Sequence, residues 1–340
     1  MKPLKNESRH TLAPYLQNFF MMRMRAQLNL SPHTVNSYRD TFRILFDYIE
    51  NKFAISPDKL FVQHLDEGLI ANFLNYLEND RNNSISTRNN RLAALHSFFK
   101  YVQNREPDLL FQCQQILNLP VKRHIKKSVC FLQQEEHQTL LNSIKQSTWF
   151  EKRDYLIISF LIETGVRVSE LTAIVVKDIS LNKQASVRIL GKGRKERHLP
   201  LDKSLKYKIE KWIQINRIGD DDYLFTHRQK CNFNKKLSRD NIERILNKYV
   251  IAANLQKEIK ITPHTLRHTF AMRMLKSGNA LPIIALWLGH EDIKSTMIYI
   301  HADLEMKRAA LNTLSPIHNG DQHSNEDGNL DDLRHFLNQL

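Results

Sequence analysis

Apolar residues in this chain recur almost everywhere at steps of three and four, and only one short region alternates. That contrast dictates a mainly α fold with a small β-sheet. Val35, Tyr38, Phe42, Leu45, Phe46 and Ile49 mark one helical face, and Ser31 with Pro32 supplies an N-cap and a first-turn proline. A second face runs through Leu92, Leu95, Phe98, Phe99 and Val102, with Arg88, Asn89, Asn90 and Arg91 in its early turns. Helical stretches at Tyr15–Met24 and Glu67–Glu78 bring the number to four, so residues 10–106 read as a four-helix domain.

Pro107 and Pro120 bracket an apolar stretch that is followed by Lys122, Arg123, His124, Lys126 and Lys127. Residues 107–131 therefore read as a basic extended strap between domains, or equally as a solvated surface loop. A second, α+β domain spans 132–315. It opens with helices at Gln134–Ser143 and Tyr155–Thr164 and resumes them at Asp202–Asn216, Arg239–Ala253, Pro263–Ser277, Pro282–Leu288 and from Ile293. Between them, Ser186–Leu190 and Glu196–Leu201 flank the sequence Gly191-Lys192-Gly193-Arg194-Lys195 and read as a β-hairpin. Residues 316–340 read as an acidic, flexible tail, ending in Asp331–Leu340, which is either a short helix or a frayed end.

Charge narrows the partners. Fifty Lys and Arg stand against 36 Asp and Glu in 340 residues, a net +14, which points to an anionic partner, foremost nucleic acid. Nine Gly and ten Pro exclude collagen-like or low-complexity chains. The longest apolar runs, such as Tyr155–Ile162, fall far short of the ~20 residues that span a bilayer, so no membrane role is expected. The polar stretch Met1–His10 does not resemble a signal peptide. Cys113, Cys130 and Cys231 form no CxxC pair, which disfavours disulfides or a zinc finger and fits a reducing, cytoplasmic setting.

Five short signals carry chemistry. In Thr164-Gly165-Val166-Arg167-Val168-Ser169-Glu170-Leu171 a helix ends at Gly165 and another begins near Arg167, placing that guanidinium at a helix junction suited to an anion. Thr262-Pro263 starts a helix that carries His264 and Arg267 at i and i+3, an imidazole and a guanidinium fork side by side. A zinc site on His264 and His268 lacks the intervening Glu and a third ligand. Leu288-Gly289-His290 presents a histidine just past another helix end, and Tyr299 lies in the apolar string Met297-Ile298-Tyr299-Ile300. Lys192 sits at the hairpin turn, free either to enter a DNA groove or to remain a solvated tip. Each signal alone has an ordinary structural reading as a surface or core side chain.

Their order does not. The strings TGVRVSEL, GKGRKERHLPL, HTLRHTFA and LGH, followed by Tyr299, resemble the tyrosine recombinase or phage integrase family, with Xer-type and transposon-borne integrases nearest in character. The resemblance implies an N-terminal four-helix core-binding domain and a C-terminal catalytic domain. It implies a site-specific recombinase in which Tyr299 attacks a DNA phosphodiester to give a 3′-phosphotyrosine, strand exchange proceeding through a Holliday junction. Arg167 and Arg267 would clamp the phosphate, His290 would donate to it, His264 would assist proton removal from Tyr299 and Lys192 would protonate the 5′-oxygen, with Glu170 in support. No cofactor and no metal would be needed.

The implied partner is double-stranded DNA, encircled by two domains and bound by a homotetramer in the cytoplasm at the nucleoid. Arg88, Arg91, Lys122, Arg123, Lys126, Lys127, Arg194 and Lys195 are the expected DNA contacts. Integration or excision of a mobile element is the expected role. Chromosome dimer resolution, type IB topoisomerase-like relaxation and a non-catalytic DNA-binding accessory protein are the alternatives. From Asn319 onward the tail holds five acidic residues and one Arg, so the rest of the chain carries +18.

Overall fold

The computed structural model describes residues 10–123, 129–191, 193, 195–227, 235–255, 260–290 and 292–299. The chain divides into two units, Met1–Lys126 and Lys127–Leu340.

In the first unit, α1 (Leu12–Asn18) runs into a π-helical stretch, Phe19–Gln27, followed by α2 (Pro32–Phe53), α3 (Glu67–Asn79), α4 (Ile85–Gln103) and α5 (Leu110–Leu117). Ser31 caps α2 by accepting from Thr34 N, Asp66 caps α3 from Leu69 N, and Ser84 caps α4 from Thr87 N. The core is aromatic: Phe98 meets Phe19, Phe42 and Phe99 edge to face at 5.2–5.4 Å.

The region expected to be an extended strap begins instead as structure. Pro107 opens a 3₁₀ turn that continues into α5, because Leu109, Cys113 and Ile116 bury against the first unit's core. Leu117 and Leu119 still pack against that core, and residues 118–123 follow α5 without helix or strand. At the other end, Val129 and Phe131 pack against an apolar cluster of the second unit.

The second unit holds α6 (Gln134–Asn142), α7 (Trp149–Thr164) and α8 (Val168–Leu171). A three-stranded antiparallel sheet follows, in the order β1 (Ile179–Ser180), β2 (Ser186–Leu190), β3 (Glu196–Pro200). The hairpin pairs Leu190 with Glu196 and Ser186 with Pro200, and Val187, Ile189 and Leu199 face the core. β1 adds a strand beyond the expected hairpin. Then come α9 (Lys203–Asn216), α10 (Arg239–Ala252), α11 (Pro263–Lys276), α12 (Leu281–Leu288) and α13 (Lys294–Met297). Thr148 and Glu151 close a reciprocal capping box that starts α7, the buried central helix packed on α11 and α9. Among the described residues no helix is long and apolar enough to cross a membrane.

Candidate active site

The site assembles where α7, α11 and α12 present their ends. Gly165 and Gly289 stop α7 and α12 in the left-handed conformation, each at φ +64°. Neither could carry a side chain without collision. A Cβ on Gly165 would lie 2.5 Å from Phe270 Cδ1, and one on Gly289 would lie 2.9 Å from Arg197 Nη1.

A helix leaves its last carbonyls without intrahelical donors, and these carry the negative end of its dipole. At the end of α12 three consecutive carbonyls each receive a different arginine. Arg197 Nε donates to Trp287 O at 2.9 Å, Arg267 Nη2 to Leu288 O at 2.7 Å, and Arg167 Nη2 to Gly289 O at 3.1 Å. Arg267 also donates through Nη1 to Gly165 O at 2.8 Å, so its guanidinium, 4 % exposed, joins the ends of two helices. Burial and the like charge of Arg167 lower its pKa to about 10, which leaves it charged at neutral pH.

Glu170 is the counter-ion on the far side. Its buried carboxylate accepts from Arg197 Nη1 and Nη2 at 3.1 and 2.8 Å, from Arg167 Nη1 at 2.8 Å and from Arg167 N at 2.9 Å. Burial alone would raise its pKa. The Arg197 fork, the Arg167 backbone N–H and the two positive charges outweigh burial and hold it below the usual carboxylate range. One carboxylate faces three guanidiniums, so the site retains positive charge for an anion.

Tyr299 is 1 % exposed, its ring in an apolar cluster with Phe270, Leu275, Ile284 and Leu288. Its hydroxyl shares a 3.0 Å hydrogen bond with His268 Nδ1, and the two rings meet edge to face at 5.6 Å. Burial raises the phenol's pKa, while Arg267 and Arg167 pull against that rise. His290 Nδ1 shares a 2.7 Å hydrogen bond with the buried Thr296 Oγ1, three residues before Tyr299. Burial and the charges around them bring both His268 and His290 down to about 4, so both are neutral at pH 7. His264 is the exposed residue of the otherwise buried first turn of α11, its pKa lowered by desolvation and by Arg267. Thr262 caps that helix by accepting from Thr265 N, with Pro263 at its first turn.

Arg167, Arg267, His264, His290, Tyr299 and Glu170 are therefore brought to one place, while Lys192 lies outside the described residues. Sequence reasoning missed Arg197, His268 as a partner of the phenol, and Thr296. Among the described residues no group of three His, Cys, Asp or Glu side chains could hold a metal ion.

The expected DNA contacts fare unevenly. Arg88 is corrected: it is 5 % exposed, paired with Glu78 at 3.4 Å and donating to Pro120 O at 2.9 Å, so its charge is spent inside the first unit. Arg91 is half-buried, which lowers its pKa. Lys122 pairs with Glu78 at 2.8 Å but remains exposed, as do Arg123 and Lys195. Lys126, Lys127 and Arg194 lie outside the described residues, as does the tail.

Arg167, Arg197 and Arg267 converge on the end of α12, and the charges of Arg267 and Arg167 reach the Tyr299 phenol, which makes a positive cluster suited to an anion. The phage integrase family matches residues 130–306, and its N-terminal SAM-like domain matches residues 16–108. A putative integrase/recombinase of Sinorhizobium fredii is 38% identical over 334 residues, covering 97% of this chain and 98% of the relative. A tyrosine recombinase of Pseudothermotoga lettingae is 33% identical over 88% of this chain and 97% of its own. The fold is shared with the XerH site-specific recombinase bound to a palindromic difH substrate (TM-score 0.66, 24% identity, 84% of this chain and 81% of that one). It is also shared with the Tn1549 transposon integrase in complex with transposon right end DNA (TM-score 0.64, 18% identity, 89% and 99%). The chain belongs to the phage integrase family and is a tyrosine recombinase.

Proposed function

We propose that this recombinase cuts and rejoins paired DNA sites through a 3′-phosphotyrosine at Tyr299. The observation that carries this reading is that Arg167 and Arg267 meet at the end of α12, where their charges act on both His290 and the buried Tyr299 phenol. A phosphodiester placed there would have its non-bridging oxygens faced by the two guanidiniums, which stabilise the charge that grows in the pentacoordinate transition state. His290 keeps Nε2 available for the phosphate because Nδ1 is engaged by Thr296. Glu170 holds Arg167 in place, Lys192 supplies the proton to the departing 5′-oxygen, and the covalent link conserves the bond energy for resealing. Strand exchange then passes through a Holliday junction on a homotetramer, in the cytoplasm at the nucleoid. The exposed Arg123, Lys122 and Lys195 are among the side chains that hold the duplex.

Integration or excision of a mobile element is the role we favour; the S. fredii relative that aligns across nearly the whole chain carries the name putative integrase/recombinase. Nicked suicide duplexes drawn from the DNA flanking the gene test the chemistry. A covalent protein–DNA product is expected from the wild type, none from Tyr299→Phe and far less from Arg167→Ala, with EDTA leaving cleavage intact. Adduct from Tyr299→Phe at the wild-type level would refute the nucleophile assignment. A circular intermediate joining the element's ends, detected by outward-facing PCR, distinguishes excision from dimer resolution.

A further inference from the structure

His290 enters the site on the end of α12, and its ring is held from the other side. Its backbone N–H donates to Ala285 O at 3.0 Å, just past the left-handed Gly289. With Arg167, Lys195 and Arg197 it lines a cleft of about 430 Å³. Its Nδ1 meets the Thr296 hydroxyl of α13 at 2.7 Å. Thr296 is fully buried, and its carbonyl accepts from Tyr299 N at 3.1 Å. One residue thus touches the histidine through its side chain and the tyrosine through its main chain.

We propose that Thr296 is a positioning residue for the cleavage reaction. Its hydroxyl donates to His290 Nδ1, which fixes the imidazole's single proton on Nε2 and keeps that N–H turned to the phosphate cleft. This inference rests on the proposed reading of His290 as a donor to the scissile phosphate, and adds what makes it a donor. The contacts involve the main chain of Tyr299 and not its buried hydroxyl.

A neutral imidazole has one N–H and one lone pair, and its two nitrogens can exchange these roles. Desolvation and the charges of Arg267 and Arg167 bring the His290 pKa down to about 4, so the ring carries no second proton at pH 7. With that proton on Nδ1, Nε2 would turn a lone pair toward phosphate oxygens that are themselves acceptors. The hydroxyl decides between the two forms. Among the described residues its one side-chain partner is His290 Nδ1. A buried hydroxyl that accepted there would leave its own proton without an acceptor, which burial penalises. Donation to Nδ1 satisfies both groups. Without the hydroxyl the ring loses the constraint on its proton and the one on its rotation.

The first measurement needs no variant of Thr296. Long-range nitrogen–hydrogen NMR of the full chain, with isotope-labelled histidine, locates the ring proton, the His290 signals being identified by their loss in His290→Gln. A protonated Nε2 and a bare Nδ1 are expected at pH 7, and a proton on Nδ1 overturns the proposal. Thr296→Val should move both nitrogens toward the averaged shifts of an exchanging ring, and Thr296→Ser should keep the wild-type pattern. Single-turnover adduct formation on a suicide duplex reads the consequence. Thr296→Val is expected to be about 10-fold slower, the size of one hydrogen bond, with duplex binding by gel shift unchanged. Thr296→Ser should stay within threefold of wild type. Joined to His290→Ala, Thr296→Val should add no further loss, whereas a side chain needed only for packing would slow both backgrounds alike. Thr296→Val cleaving at the wild-type rate while His290→Ala is slow overturns the proposal, as does a further loss in the double variant. Where Thr296→Val does not fold, the proton position in the wild type still decides. His290→Ala cleaving as fast as wild type is a different failure, that of His290 as the phosphate donor.

Discussion

Removing the Arg197 guanidinium puts the largest demand on the site without touching any group proposed to meet the phosphate. Arg197→Ala deletes the fork on Glu170 and the donor to Trp287 O together. The carboxylate stays buried, with Arg167 as its remaining ionic partner. Breaking one side of a buried pair costs about 3–5 kcal/mol. The surviving Arg167 contact places this case near the lower bound, ~3 kcal/mol. For a unit of this size each kcal/mol shifts the melting temperature by about 2–4 °C, so a fall of about 6–12 °C is expected by circular dichroism. The pH dependence carries the sharper test. In the wild type the Glu170 pKa is depressed, so its contribution is complete above the unfolded value of about 4.3. That contribution is lost as pH falls through the lower folded value. Without Arg197 burial dominates, the carboxyl protonates more readily, and a neutral acid needs no cation. The stability gap between variant and wild type should therefore shrink as pH drops below the ordinary carboxylate range. A gap that stays constant from pH 7 to pH 3.5, or a melting point within 1 °C of wild type at pH 7, refutes the reasoning.

Three further outcomes follow from the same geometry. Gly289→Ala should cost about 1–2 kcal/mol from its left-handed backbone alone and slow adduct formation further by displacing Arg197, read by melting and suicide-substrate assays together. Arg267→Lys keeps a charge but cannot bridge Gly165 O and Leu288 O, so cleavage should fall at least ~100-fold while duplex binding by gel shift changes little. Phe98→Ala should destabilise the first unit by about 3–5 kcal/mol in urea unfolding, through loss of its contacts with Phe19, Phe42 and Phe99.

Much of the fold could be read in advance because the signals were local. Ser31-Pro32 and Thr262-Pro263 announce helix starts within two residues, and Gly165 and Gly289 announce the stops. The spacing of His264 and Arg267 follows from one helix. What escaped depends on distant chain. Arg197 is an ordinary charged residue of a strand until Glu170 and Trp287, 27 and 90 positions away, close around it. Arg88 has the polar neighbours of a surface arginine, and only the approach of Glu78 and Pro120 buries it. Pro107 looks like a breaker but occupies the first turn of a 3₁₀ segment, where a proline's missing N–H costs nothing. The π-helical stretch Phe19–Gln27 and the two-residue strand β1 have no periodic signature long enough to read.

The end of α12 holds Arg197, Arg267 and Arg167 by main-chain oxygen atoms, which every residue type possesses. Most substitutions along Leu281–Leu288 would therefore spare all three anchors. A one-residue insertion or deletion within α12 would turn its last carbonyls by about 100° and detach the three guanidiniums at a stroke. Drift in this helix should thus be tolerant of composition and intolerant of length.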